Sequence, residues 1–217
     1  MEGFRCMLVS WKHIESWVSQ IMKKMEKKVY KPDVIIGLSR GGLVPARIIS
    51  DYLQLKDLYA IKTEHWGITA TPDGQARITQ GLPINIEGKK VLLVDDITDT
   101  GQSLSVAFEY VKNFNPDELK TATLLHITRS KFIPDFYAEE VPEEKWTWFI
   151  FPWNVYEDLT TIIVKMLSQE SLDYNGILDA FKKYFYIKPK KYMLRNSLKM
   201  LENKKIVIRE NGFYKKL

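Results

Sequence analysis

Three carboxylates fall within five positions, at Asp95, Asp96 and Asp99. They follow the apolar run Val91 to Val94, and the polar turn Thr98-Asp99-Thr100-Gly101-Gln102-Ser103 leads from them into a helical pattern. Carboxylates this crowded repel one another and need a cation or hydrogen-bond donors beside them. An acidic turn with an ordinary helix cap would account for Thr98 or Ser103, but not for the crowding. Backbone N–H groups at a helix start, joined by three hydroxyls and a glycine that permits close approach, make a site for a phosphate. The carboxylates cannot bind that phosphate. They can accept hydrogen bonds from the vicinal hydroxyls of a sugar, directly or through Mg²⁺. A ligand with a phosphate at one end and a diol at the other is a ribose 5-phosphate.

Two further segments carry chemically informative side chains. In Leu38-Ser39-Arg40-Gly41-Gly42 a guanidinium stands beside the free amides of a helix start, a combination suited to bidentate binding of phosphate oxygens. Taken alone, the same residues would serve as an ordinary strand-to-helix connection. The aromatic run Trp148-Phe149-Ile150-Phe151-Pro152-Trp153 offers flat faces, although such runs are commonly core, and Phe151 and Trp153 are read that way. His13, His65 and His126 lie outside these motifs without metal-ligand spacing and receive no function.

The elements that must position these residues alternate. Trp11, Ile14, Val18, Ile21, Met22 and Met25 recur at helical spacing across residues 10–28, with Ser10 available as an N-cap. Lys31-Pro32-Asp33 ends that helix. Val34 to Leu38 reads as a buried strand, Leu43 to Leu53 as a helix, Leu58 to Lys62 and Val91 to Val94 as strands, and Ser103 to Phe114 as a helix. Thr121 to Ile127 and Trp148 to Phe151 read as two more strands. This alternation predicts an α/β domain with a mostly parallel sheet flanked by helices, whose ligands gather at the carboxyl ends of the strands. Residues 63–83 are polar, contain three glycines and two prolines, and read as a long functional loop. A helix from Val155 to Leu167 closes this first domain, residues 1–167. Residues 168–217 read as two helices and a β-hairpin around Glu210-Asn211-Gly212, a small α+β, winged-helix-like module.

With 217 residues, 45% of them apolar and 27% charged, the chain has a globular composition that excludes collagen-like, low-complexity and wholly disordered classes. Its longest strongly apolar stretch free of charge, Trp146 to Tyr156, is far shorter than the roughly 20 residues that span a bilayer. Glu2, Arg5, Lys12 and Glu15 interrupt the amino-terminal apolar residues, so no secretory leader is expected. Cys6 is the sole cysteine, which rules out an internal disulfide, and a cytoplasmic address is expected. The net charge of +5 is unevenly shared: residues 168–217 carry 12 basic and 5 acidic side chains, leaving 20 and 22 to residues 1–167. The basicity belongs to the tail.

The segment VLLVDDITDTG resembles the phosphoribosyl-diphosphate signature of the type I phosphoribosyltransferases, and the likeness extends over roughly residues 1–155. The resemblance implies the fold of that family and the binding of phosphoribosyl diphosphate (PRPP) and a purine base. It implies that Asp95 and Asp96 hold the ribose hydroxyls and Mg²⁺, directly or through those hydroxyls and water. Thr98, Asp99, Thr100, Gly101, Gln102 and Ser103 then surround the 5-phosphate, with Asp99 facing N7 of the base. Ser39, Arg40 and Gly41 become the pyrophosphate loop, which in this family often contains a non-proline cis peptide, and residues 63–83 the loop that closes over the site. Arg40 and Asp99 are the implied catalytic residues.

Residues 128–154 resemble the base-binding hood of the 6-oxopurine enzymes, with Trp148 as stacking platform and Phe149 as backbone reader. Those enzymes place a lysine near the hood's start; here Arg129 and Lys131 are the candidates. The implied activity is a purine-salvage transferase for hypoxanthine, guanine or xanthine, with adenine fitting less well, and a homodimer is the expected assembly. The competing class is a non-catalytic regulator that senses PRPP and binds nucleic acid through residues 168–217. Retention of Arg40, Asp99 and the long loop argues against it, and a tail used for dimerisation is a third reading.

Overall fold

A computed structural model describes residues 2–66 and 75–217. The chain forms two compact units, one of residues 12–145 and one of residues 1–11 with 146–217.

The unit of residues 12–145 is built on a six-stranded sheet. Its strands are β2 (Val34–Ser39), β3 (Leu58–Trp66), β4 (Gln75–Gln80), β5 (Lys90–Thr98), β6 (Glu118–Ile127) and β7 (Phe136–Val141), in the spatial order β4-β3-β2-β5-β6-β7. Every neighbouring pair is parallel except β3 and β4. Helices α1 (Trp11–Lys27), α2 (Leu43–Leu53) and α3 (Gln102–Lys112) connect or flank the strands. β2 and β5 are buried on both faces, which explains their unbroken apolar runs. Val34, Ile36, Leu38, Val91 and Leu93 form one core with Leu104, Ala107 and Val111 of α3. On the opposite face Gly37 lies against α2, where a Cβ would come within 3.1 Å of the Ala46 methyl. Asp33 fixes the register of the central pair: its N–H donates to the Lys90 carbonyl at 2.7 Å, and its carboxylate accepts from the Lys90 N–H at 2.8 Å.

Three expectations change here. The strand expected at Val91 to Val94 continues through Thr98, because β6 keeps pairing with it as far as His126, so Asp95 and Asp96 lie within the strand rather than after it. Part of the expected loop 63–83 is antiparallel ladder, with Thr63 opposite Ile78 and Glu64 opposite Arg77. An edge pair with polar outward positions alternates weakly and reads as loop in sequence. Residues 67–74, the middle of that segment, lie outside the described residues. The strand expected at Trp148 to Phe151 does not join this sheet; β7, unforeseen in the sequence, takes the edge position.

In the other unit, β1 (Cys6–Leu8) pairs in parallel with β8 (Trp148–Ile150), Met7 opposite Phe149. There follow α4 (Val155–Leu167), β9 (Leu172–Asp173), α5 (Tyr174–Phe185), α6 (Lys191–Asn203), β10 (Val207–Glu210) and β11 (Phe213–Lys216). β11 lies between β10 and β9, antiparallel to both. Asp173 caps α5 by accepting the Gly176 N–H at 2.7 Å. The boundary read at residue 167 falls inside this unit, because Leu159, Ile163 and Met166 of α4 share one core with Phe181 and Phe185 of α5 and with Leu194 and Leu198 of α6.

Candidate active site

Because β2 and β5 are adjacent and parallel, the loops that follow Ser39 and Thr98 leave the sheet at the same edge. The first loop is tight. The Gly42 N–H donates to the Leu38 carbonyl at 2.9 Å and the Leu43 N–H to the Arg40 carbonyl at 3.3 Å. The Ser39–Arg40 peptide is cis, and Arg40 is exposed. A Cβ on Gly41 would collide with the Asp96 carboxylate, and one on Gly42 would collide with the Val94 carbonyl and come within 2.9 Å of the Asp95 Cα. The two glycines are therefore what lets this loop lie directly on the acidic end of β5.

Asp95 is partly buried and Asp96 is 9% exposed. The Asp96 N–H donates to Asp95 Oδ1 at 2.9 Å. Loss of solvent pushes the Asp95 carboxyl well above the usual carboxylate range and the neighbouring Asp96 charge adds to this, while hydrogen bonds from the Asp96 and Gly42 amides oppose it. Such a pair gains from a cation or from hydroxyl donors.

Thr98 turns inward. It is buried, and its hydroxyl lies 3.0 Å from His126 Nδ1 and 3.5 Å from the Leu125 carbonyl, so its side chain joins β5 to β6 instead of lining the expected phosphate loop. His126, to which sequence reasoning gave no role, thus supports the start of the loop. Desolvation lowers its pKa, and Glu140 partly offsets that.

The remainder of the loop surrounds a cavity of about 390 Å³, lined in part by Thr100, Gly101, Gln102, Ser105 and Lys131. Gly101 precedes α3 with φ +80° and, as a glycine, offers no side-chain cap, while the Gln102 N–H donates to the Thr100 hydroxyl at 3.4 Å. A Cβ there would meet the Ser130 hydroxyl at 2.5 Å and Phe132 Cβ at 2.8 Å, so a glycine is required on both counts. The first turn of α3, which holds Ser103, begins at this cavity.

The segment between β6 and β7 completes the arrangement. Arg129 grips Asp99 in a fork, Nε to Oδ1 and Nη2 to Oδ2, both at 2.6 Å. This contact is the first cause of the raised Arg129 pKa. Lys131, offered with Arg129 as a reader of the base, instead lines the cavity beside Gly101 and Gln102, and its N–H donates to the Thr100 carbonyl at 3.3 Å. Ser130 shapes the turn by donating to the Phe132 carbonyl at 2.8 Å. Ser130 and Ser105 carried no signal in the sequence, because only strand pairing brings the first to Gly101.

Trp148 and Phe149 belong to the other unit. Trp148 is 43% exposed, and its indole N–H donates to Asp158 Oδ1 at 3.1 Å. Phe4 and Trp146 each tilt against it, with ring centroids 6.2 Å away. Phe151 is buried and stacks on Trp153 at 4.9 Å, in keeping with a core role for Phe151.

A mostly parallel sheet whose central strands deliver a glycine-arginine loop and an acidic strand end to one edge, beside a helix that starts from a glycine, defines a nucleotide- or sugar-phosphate-handling α/β protein. Residues 8–159 match the sequence model of the phosphoribosyl transferase domain, and the chain belongs to that family, within its type I branch and most like the 6-oxopurine enzymes. A hypoxanthine-guanine phosphoribosyltransferase of Aquifex aeolicus is 28% identical over 159 residues, covering 69% of this chain and 88% of that relative. A xanthine-guanine phosphoribosyltransferase of Desulfotalea psychrophila is 34% identical over 122 residues, 55% of this chain and 69% of the relative. The crystal structure of a purine phosphoribosyltransferase from Pyrococcus horikoshii Ot3 superposes with a TM-score of 0.58 at 32% identity, over 68% of this chain and 92% of that one. The class of enzyme is a pentosyltransferase.

Proposed function

We propose that this protein transfers ribose 5-phosphate from PRPP to N9 of hypoxanthine, guanine or xanthine, releasing pyrophosphate, in purine salvage. The observation that carries the reading is the loop at Ser39, Arg40, Gly41 and Gly42 lying on the Asp95–Asp96 pair at the end of β5. Asp95 and Asp96 offer the hard oxygen donors that Mg²⁺ takes, which it commonly does through one or two carboxylates together with substrate oxygens. Bound there, directly or through the ribose hydroxyls and water, Mg²⁺ would supply charge neutralisation to the pyrophosphate. The desolvated state of Asp95 fits a group whose charge is stabilised once the ligand arrives.

The protein's own part follows from charge. Breaking the C1–oxygen bond leaves positive charge on the ribose and negative charge on the pyrophosphate. Arg40 and the Gly41 amide stabilise the leaving group. Asp95 and Asp96 hold the ribose by its hydroxyls. The amides of Gly101 and Ser103, with the Thr100 hydroxyl and Lys131 beside the same cavity, hold the 5-phosphate. Asp99 accepts a proton or hydrogen bond from the base nitrogen as N9 becomes a nucleophile. Arg129 is a positioning residue. Its fork engages one lone pair on each Asp99 oxygen and leaves others to face the base.

The test is pyrophosphate release from PRPP and Mg²⁺ with a panel of bases. Release with hypoxanthine, guanine or xanthine supports the reading. Inertness toward every base, with PRPP still bound, would leave a sensor in its place.

A further inference from the structure

The other unit carries a surface that the transferase chemistry does not use. Its elements run α4, β9, α5, α6, β10, β11, and β11 lies between β9 and β10. Three helices, a short strand and a terminal hairpin in this order make a complete winged-helix arrangement, with α4 as its first helix. The two helices expected from the sequence lacked that one.

Helix α6 has two faces. Leu194, Ser197, Leu198 and Leu201 are buried in the core. On the outer face Lys191, Arg195 and Lys199 follow one another at four-residue intervals, with Tyr192, Asn196 and Met200 beside them, and all six are exposed. Glu202, the one acidic residue of α6, stands in its last turn. Asn196 Nδ2 donates to the Tyr156 hydroxyl at 3.2 Å, tying α6 to α4. The hairpin turns at Asn211 and Gly212, both at positive φ (49° and 87°), and it presents exposed Arg209, Lys215 and Lys216. The Arg209 guanidinium rests over the Tyr214 ring at 5.4 Å. Helix face and hairpin are cationic together, and residues 168–217 carry a net charge of +7.

We propose that this unit binds duplex DNA, with α6 in the major groove and the β10–β11 hairpin on the neighbouring phosphates. The 13 residues of α6 make a rod about 20 Å long, and the major groove of B-form DNA, about 12 Å wide, admits a helix. The deep, narrow major groove of A-form RNA does not. Arg195 and Lys199 are of the types that reach guanine edges, whereas Lys215 and Lys216 contact phosphate and fix register without reading sequence. The inference uses no residue of the candidate active site and stands whether or not the transferase reading holds.

The test is fluorescence anisotropy of the full chain with a labelled mixed-sequence duplex about two helical turns long, across a salt series. The expected dissociation constant is about 10⁻⁵ M at physiological salt, tightening as salt is lowered. The Lys215→Ala/Lys216→Ala variant should reduce the slope of log affinity against log salt by about 2, and Arg195→Ala/Lys199→Ala should weaken binding by about tenfold or more. All four residues are exposed. If a double variant melts early, Lys216→Gln and Lys199→Gln each read the same loss by about half. Absence of binding at low salt would overturn the proposal. So would equal affinity for an RNA duplex of the same sequence or for anionic phospholipid vesicles, or wild-type affinity and slope in variants that melt as the wild type does.

Discussion

Asp99→Asn keeps the shape of the side chain that Arg129 holds, but it removes the charge and turns one of the two 2.6 Å contacts into N–H facing N–H. The side chains of the pair are 34% and 38% exposed, so the ion pair contributes little to stability, ~0–1 kcal/mol. A shift in Tm of at most about 4 °C follows for a chain of this size. Turnover should respond far more, because removing a general base costs about 10²- to 10⁴-fold. We expect kcat for pyrophosphate release with guanine to fall about 10²-fold or more, with KM for PRPP little changed. Arg129→Ala leaves the carboxylate but not its orientation. If orienting Asp99 is its whole task, the double variant is no slower than Asp99→Asn alone, and the coupling energy equals the entire Arg129 effect. Single-turnover quench measurements on the four proteins give that cycle directly. Wild-type turnover from Asp99→Asn would remove Asp99 from the mechanism, and strictly additive losses would show that Arg129 acts on the substrate itself.

The two glycines of the Arg40 loop should separate by assay. Gly42→Ala drives a methyl into the backbone of Val94 and should lower unfolding stability in urea by about 1–3 kcal/mol. The atoms nearest a Gly41→Ala methyl are those of the Asp96 carboxylate, the end of a side chain rather than backbone, so this variant should weaken PRPP binding at nearly wild-type stability; equal stability losses would contradict this packing. Burial raises the Cys6 thiol pKa to about 12, so at pH 8 a thiol reagent should label it only after denaturation, and rapid labelling of the native protein would contradict that burial. His126, facing the Thr98 hydroxyl, the Tyr137 ring at 5.1 Å and the Glu140 carboxylate, has a pKa below its usual 6.5 in the folded chain. The unfolded chain then binds the proton more readily. The His126 contribution is full above about pH 6.5 and is lost as pH falls from there toward the folded value. Thermal melts between pH 5 and pH 8 should show a steeper acid decline for wild type than for His126→Asn, and parallel curves would refute the assignment.

What could be read from sequence was what neighbouring residues determine. The apolar runs of β2 and β5, the helices α2 and α4 and the two glycine-bearing loops are all set by spacing over a few residues, and they appear where the pattern puts them. What escaped depends on pairing between distant segments. Nothing near Arg129 announces that the β6–β7 connection will bring it onto Asp99 while Lys131 turns to Gly101, because that follows from Thr98 pairing with His126. The inward turn of Thr98 has the same origin. The short β1 and β8 strands, three residues each, stabilise one another only across more than a hundred residues of chain. Helix α4 was legible as a helix, but its membership in the winged-helix core was not, since the apolar stripe that includes Leu159 and Ile163 would fit either unit.

Titration calorimetry of PRPP into the full chain with Mg²⁺ tests the central claim most directly. The account predicts one binding event per chain, with its heat abolished in the Asp95→Asn/Asp96→Asn variant. Absence of heat from the wild-type protein, or unchanged binding by that variant, would contradict it.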